Sequence, residues 1–247
     1  MQPSSSLLAK RDKDEIVKID WDNLAYNVLI KDGPRSSLFK STYVNKAILQ
    51  GLSGTAQSGQ LLAILGPTGS GKTTLLNVLA ARLQDSGKNS LMALTGSITV
   101  NGTKREEVWF RTISAYVSQD DYLYPHLTVF ETLLLSANFF LPSSSEEEKV
   151  RTVANTINEL GLLKAHDVII GDAKTRGVSG GERKRTSIAV QLLTNPAVLF
   201  LDEPTSGLGW FTLILYNLSK INFDFQVHKI IILLFDNTYM TMTITIR

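Results

Sequence analysis

Residues 61–74 read LLAILGPTGSGKTT. The first six form an apolar run that ends at Gly66, the pattern of a strand buried on both faces of a sheet. The next stretch, GPTGSGKTT (66–74), fits G-x-x-x-x-G-K-[ST] with Gly66, Gly71, Lys72 and Thr73. Beyond it, KTTLLNVLAARL (72–83) sets Leu75, Leu76, Leu79 and Leu83 on one helical face. Apolar strand, glycine loop and amphipathic helix in that order are the context of a phosphate loop. Glycines let backbone N–H groups turn inward around phosphate oxygens, and the helix N-terminus adds partial positive charge. Lys72 can neutralise the outer phosphates, and the Thr73 hydroxyl can ligate Mg²⁺. The loop as a whole (Gly66, Pro67, Thr68, Gly69, Ser70, Gly71, Lys72, Thr73 and Thr74) is the expected nucleotide cradle.

Outward from this loop, AVLFLDEP (197–204) reads as a second buried strand, ending in Asp202 and Glu203. Ligands of open α/β sheets sit at the carboxyl ends of strands. Asp202 there can hold Mg²⁺, directly or through water, and Glu203 can orient or deprotonate an attacking water. Taken alone, the pair could equally be two surface acids; the phosphate loop upstream favours the metal reading. ISAYVSQ (113–119) is another strand, ending in Gln119. A glutamine there can reach metal and water, or simply be a polar strand terminus. WDNLAYNVLI (21–30), residues 45–60 and GSITVNG (96–102) also read as strands, the last closing on an Asn101-Gly102 hairpin turn. TVFETLLLSANFF (128–140), the serine-capped start at 142–150 and residues 180–193 read as helices. Alternating strands and helices predict an α/β domain on a largely parallel sheet. KDGPRSS (31–37) reads as a turn-rich insertion.

Composition narrows the chemistry. The 247 residues contain no cysteine, so disulfides, thiolate metal sites and thiol catalysis are excluded. His126, His166 and His228 are scattered and form no ligand pattern. A net charge of +2 points to no nucleic-acid partner. The N-terminus, MQPSSSLLAKRDKDE, lacks the apolar core of a signal peptide, and no apolar run approaches the length of a membrane span.

One further string, GVSGGERKR (177–185), opens a helix with a serine, two glycines and dense charge. A phosphate loop, a strand-end glutamine, VSGGERKR and LFLDEPTSGL in that order resemble the nucleotide-binding domain of an ATP-binding cassette (ABC) protein. AILGPTGSGKTTLLNVLAAR, AYVSQDDYLYPHLTVFETL and GVSGGERKRTSIAVQLLTNPAVLFLDEPTSGL are similar to the G subfamily, the white/eye-pigment-like half-transporters. The resemblance covers residues 20–208. It implies a P-loop NTPase fold: a RecA-like parallel core, a helical signature subdomain over about 120–185, and an N-terminal antiparallel β subdomain. It implies ATP and Mg²⁺ as cofactors, with Thr73, Gln119 and Asp202 at the metal and Glu203 and Gln119 in catalysis. Ser179, Gly180, Gly181 and Glu182 would then close over the γ-phosphate of a nucleotide held by a second such domain, as a homo- or heterodimer. The intact parent would carry a membrane domain, sit at the cytoplasmic face of a membrane, and couple ATP hydrolysis to export of lipids, sterols, pigments or xenobiotics. The rivals are a soluble ABC-type ATPase and an inactive nucleotide-binding fragment.

Several further expectations follow. Arg183, Lys184 and Arg185 read as a solvated helix face. Phe130, Phe139 and Phe140 read as core. Tyr26 or Tyr43 could stack on adenine. Residues 1–19 read as a flexible lead-in.

The family pattern breaks after the second motif. The family reads Ser-Gly-Leu-Asp, and this chain reads Ser206-Gly207-Leu208-Gly209. Roughly thirty residues on, the family needs a histidine at the end of an apolar strand; the matching run KIIILLF puts Phe235 there, and His228 lies before it. From Trp210 to Arg247 there is no Ala, Gly, Glu or Pro. The C-terminal part of the core is therefore expected to be missing or replaced. Residues 209–247 read as a non-family tail: the favoured reading is read-through of an intron, giving a segment that packs poorly, and the rival is a genuine divergent C-terminus in which IIILLF supplies the missing strand. ATP turnover is expected to be weak or absent.

Overall fold

The computed structural model describes residues 16–31, 43–83, 92–203 and 230–236. The chain opens with two long antiparallel strands, β1 (Lys18–Lys31) and β2 (Tyr43–Gln57). In β1 the buried side chains are Ile19 and Trp21, then Leu24 and Tyr26. The change of phase falls at a register shift between Trp21 and Leu24, where Asn23 takes a left-handed φ of 49°. A bulge of this kind adds a residue and so returns the later apolar side chains to the core face. Val17 and Ile19 are buried, so the tail end of the expected lead-in belongs to the sheet.

Next come β3 (Gln60–Gly66) and α1 (Lys72–Leu79). The helix stops short of Leu83, and Arg105 and Arg111 cap its C-terminal end. Arg105 Nη1 donates to the Val78 and Leu79 carbonyls at 2.8 and 2.7 Å, and the Arg111 guanidinium donates to the Ala81 carbonyl. Cations on the last carbonyls of a helix favour the negative end of its dipole. Strand β4 (Met92–Val100) pairs with β1 and turns through Asn101-Gly102 into β5 (Thr103–Lys104), giving a four-stranded antiparallel sheet in the order β2-β1-β4-β5. A short helix α2 (Glu107–Ile113), which the sequence pattern did not reveal, leads into β6 (Ser114–Val117).

Three helices follow: α3 (Val129–Phe140), α4 (Glu146–Glu159) and α5 (Gly180–Leu192). Each begins with a reciprocal capping box, Thr128/Glu131, Ser145/Glu148 and Ser179/Glu182. The side-chain oxygen of the cap accepts an orphan helix N–H while the glutamate accepts the cap's own N–H. Of the aromatics expected in the core of this region, Phe130 packs partly against it. Phe139 and Phe140 are 75% and 45% exposed, because α3 turns its buried side, Val129, Leu133 and Ala137, away from them.

The parallel sheet has the order β3-β8-β7-β6, with β7 (Val198–Leu201) beside β8 (Ile230–Asp236). Val198 and Phe200 on β7, with Ile230, Ile232 and Leu234 on β8, face α1 and the antiparallel sheet. Leu199, Leu201, Ile231 and Leu233 face α3, α4 and α5. Both faces are covered, which is why these strands read as continuous apolar runs.

The expectation that residues 209–247 pack poorly is corrected for one segment. Ile230 to Leu234 are all 8% exposed or less, and β8 lies between β3 and β7 in full parallel register. Burying an Ile or Leu contributes about 1.5–3 kcal/mol each, so β8 is a principal part of this core. The core's C-terminal strand is thus replaced from within the tail. Residues 209–229 and 237–247, with the break at Gly209, lie outside the described residues, as does the insertion at 32–37.

Candidate nucleotide site

Gly66 ends β3, and Gly71 caps α1 with φ 93°, a left-handed conformation open to glycine. A Cβ at Gly71 would stand 2.9 Å from the Ile48 carbonyl, so the position excludes a side chain on space as well. Pro67 to Ser70 are exposed between these two glycines, with Ser70 N–H donating to the Pro67 carbonyl at 3.2 Å. Lys72 is buried, and its ammonium lies along the loop, donating to the Gly66 and Pro67 carbonyls at 2.8 and 2.9 Å. The cradle therefore holds an exposed run of backbone with one cation drawn into it.

Asp202 enters the same site from the end of β7. Its N–H donates to the Val117 carbonyl at 3.0 Å, and its side chain is buried. The two carboxylate oxygens have different partners. Thr73 Oγ1 donates to Oδ1 at 3.3 Å, and the Tyr116 hydroxyl donates to Oδ2 at 2.9 Å. Burial first, then the charge of Asp202, pushes the Tyr116 phenol above its ordinary range, so it stays a neutral donor. The Arg82 guanidinium lies 4.1 Å from the centroid of the Tyr116 ring.

Glu203 follows in a left-handed backbone conformation, φ 44°, unusual for a residue with a side chain. Its Oε2 accepts from Gln119 Nε2 at 2.9 Å. Strand ends β6 and β7 thus bring together two residues 84 positions apart in sequence. Thr73 lies in the first turn of α1, and Asp202 and Glu203 directly follow β7, as the sequence placed them; the strand expected over 113–119 is shorter, ending at Val117, so Gln119 lies two residues beyond it.

Among the described residues no three acidic or histidine side chains group into a metal cage. One carboxylate with one hydroxyl is instead the sparse donor set Mg²⁺ takes when phosphates and water complete its octahedron. The chain fits that ion and a polyphosphate better than a fully protein-bound metal.

A comparison with protein families matches residues 49–206 to the model described as ABC transporter. The chain belongs to the ABC transporter family. Several curated relatives carry G-family names. Over 164 residues it is 49% identical to ABC transporter G family member 5 of Oryza sativa subsp. japonica, matching 66% of this chain and 20% of that protein. It is 44% identical over 192 residues to ABC transporter G family member 18 of Arabidopsis thaliana, matching 77% of this chain and 26% of that protein. With member 20 of the same plant the identity is 51% over 164 residues, with 66% and 21% matched. The domain is an ATP-binding cassette of the G subfamily, and it spans roughly a fifth to a quarter of the length of these relatives. Among the described residues no helix is long and apolar enough to cross a membrane.

In this ABC domain Ser179 and Gly180 are exposed at the start of α5, and Gly181 and Glu182 are half-buried. The Ser179 hydroxyl donates to Glu182 Oε2 at 2.7 Å, and Ser179 N–H donates to the same oxygen at 2.8 Å. These bonds, the hydroxyl's first, hold the Glu182 carboxyl below its ordinary range. Glu182 therefore serves the cap.

The solvated face expected at Arg183-Lys184-Arg185 is not there. Arg183 Nη2 donates to the Ile170 and Gly171 carbonyls at 3.0 and 2.9 Å. Lys184 is buried, and Arg185 is half-buried. Tyr26 is 3% exposed inside the core, too enclosed to stack on a base, whereas Tyr43 is 50% exposed. Tyr116 and Lys184 carry geometry that sequence reading missed. For Lys184 the signal was the Asp120-Asp121 pair after Gln119, acids able to meet a cation on a neighbouring helix.

Proposed function

We propose that this chain binds Mg·ATP at residues 66–74 and, in its parent protein, serves as the ATP-driven half of a membrane exporter. The observation that carries the reading is the Thr73–Asp202 contact across the mouth of the phosphate loop, flanked by the Gln119–Glu203 pair. Lys72 neutralises the outer phosphate charge, and the exposed loop amides cradle the phosphate oxygens. Thr73 and Asp202 hold Mg²⁺, with Tyr116 fixing the carboxylate's second oxygen. Glu203 accepts a proton from a water whose oxygen bonds the γ-phosphorus as the bond to the ADP oxygen breaks, releasing ADP and phosphate, and Gln119 orients the glutamate. A bound Mg²⁺ would supply neutralisation of the charge on the phosphates and on ADP as it leaves.

Ser179, Gly180 and Gly181 present a hydroxyl, backbone amides and a helix N-terminus outward. Their role is to close on the nucleotide of a second ABC domain, in a homo- or heterodimer. Export of lipids, sterols, pigments or xenobiotics belongs to the parent, through a membrane domain.

Hydrolysis by this chain is slow in this reading. Gly209 stands where the family has aspartate, and β8 ends in Phe235 and Asp236, level with Leu65 and Gly66, where the family has histidine. The test is equilibrium binding of ATP to the purified chain. Losing the buried Lys72 ammonium from its pairing with phosphate costs about 2–5 kcal/mol, so Lys72→Ala should weaken binding at least ~30-fold. Equal affinity in a folded Lys72→Ala variant would remove the phosphate-loop assignment.

A further inference from the structure

Lys184 and Asp121 form a bridge between the two functional strings of the chain. Lys184 lies on α5, one turn past the Ser179-Gly180-Gly181 start. Its side chain is 4% exposed, and that of Asp121 is 13% exposed. The ammonium donates to Asp121 Oδ1 at 2.8 Å, to the Gln119 carbonyl at 2.8 Å and to the Ser118 carbonyl at 3.1 Å. All three donors of the ammonium are thus directed at one short segment, 118–121. A buried charge is tolerated only when its partners are supplied, and removing one of them is expensive. That makes the bridge stiff: the segment cannot slide along α5 without stripping the ammonium. The same segment carries Gln119, whose amide holds Glu203. On the other side, Arg183 ties the same turn of α5 to the Ile170 and Gly171 carbonyls, at the base of the loop leading to Ser179.

We propose that Lys184 is a positioning residue that locks the Gln119 segment to the start of α5, so that the two move as one body. The inference rests on the reading of residues 66–74 as the ATP site. Its consequence is that nucleotide bound at this chain's own loop, felt by Gln119, resets the Ser179-Gly180-Gly181 surface offered to the second domain. The hydrogen bonds of Lys184 and its ion pair with Asp121 go to 118–121 and not to the phosphate loop, so each acts through the segment it holds.

The test is amide hydrogen exchange over 118–124 and 177–183, with and without Mg·ATP, alongside ATP affinity. The proteins compared are the wild type, Lys184→Met, Asp121→Asn and Lys72→Ala. In the wild type, Mg·ATP should slow exchange in both segments. Lys184→Met and Asp121→Asn should keep ATP affinity within about threefold, a span of less than 1 kcal/mol, yet lose the ATP-dependent protection of 177–183. Lys184→Arg, which keeps the charge, should restore part of it. Retained protection of 177–183 in both Lys184→Met and Asp121→Asn overturns the proposal, as does its absence in the wild type. If both variants lose ATP binding in step with global melting, the bridge is a structural strut only, and the proposal again falls. Lys72→Ala separates the two levels: normal ATP binding there would sink the ATP-site reading whatever the bridge does.

Discussion

Asp202 shows how much of a site one carboxylate can organise. Thr73 donates to one of its oxygens and Tyr116 to the other, and the phenol is held neutral by its burial. Only the Thr73 side faces the phosphate loop, so the Tyr116 bond sets the angle at which the carboxylate meets a metal. A single hydrogen bond of this type is worth about 0.5–1.5 kcal/mol. Tyr116→Phe should therefore raise the Mg²⁺ concentration needed for half-maximal ATP binding by several-fold, with metal-free ATP binding unchanged. A titration of Mg²⁺ at fixed ATP reads this directly, and an unshifted midpoint would show that Thr73 alone orients Asp202. Glu203 was legible in the sequence as the second acid of the pair. Its left-handed backbone was not, because that conformation is imposed by the chain's exit from β7 and has no residue signal of its own.

At the scale of elements, the start of α5 is where composition misled. Three consecutive basic residues look like a solvated face, but two of them are drawn back onto carbonyls, Arg183 onto the loop that precedes the helix and Lys184 onto the segment that follows β6. Propensity cannot show this, since the acceptors come from 118–121 and 170–171, far away in sequence. The capping box itself was legible from the spacing of Ser179 and Glu182. Its pH signature follows from the depressed Glu182 carboxyl. A group whose folded pKa lies below its unfolded one adds stability above the unfolded value and loses it as pH falls through the folded value. Urea unfolding should show the wild type more stable than Glu182→Gln at neutral pH, with the difference shrinking steadily as the pH is lowered below the ordinary carboxylate range and through the depressed Glu182 value. An advantage that persists at the acid end would place the effect elsewhere. The loop before the helix is equally constrained. A Cβ at Gly177 would stand 2.3 Å from the Ile170 carbonyl and 2.5 Å from that of Ile169. Gly177→Ala should cost about 1–3 kcal/mol by forcing that backbone apart, measurable as a lower urea midpoint.

Across the whole molecule, the α/β plan was legible because β3, β6 and β7 are short apolar runs that lead into the glycine loop, Gln119 and the Asp202-Glu203 pair. The run KIIILLF was legible as the counterpart of the family's strand, but that it packs as a full member of the sheet was not the favoured reading. Its surrounding composition set it apart from the family pattern, yet five consecutive apolar residues fit a slot buried on both sides, and the hydrophobic effect does not distinguish their origin. Ile232 is fully buried at the centre of that slot. Ile232→Ala should lower the stability of the chain by about 2–5 kcal/mol, and a change within about 0.5 kcal/mol, the ordinary range for surface sites, would show that β8 does not hold the sheet together in solution. What β8 supports is the spacing between the phosphate loop on β3 and the acids on β7, and the central question is whether that spacing makes a metal–nucleotide site. ATP binding with and without Mg²⁺, compared between the wild type and Asp202→Asn, answers it. The variant should match the wild type for metal-free ATP and lose the gain in affinity that Mg²⁺ gives; an undiminished Mg²⁺ gain in Asp202→Asn would mean that the ion is held elsewhere.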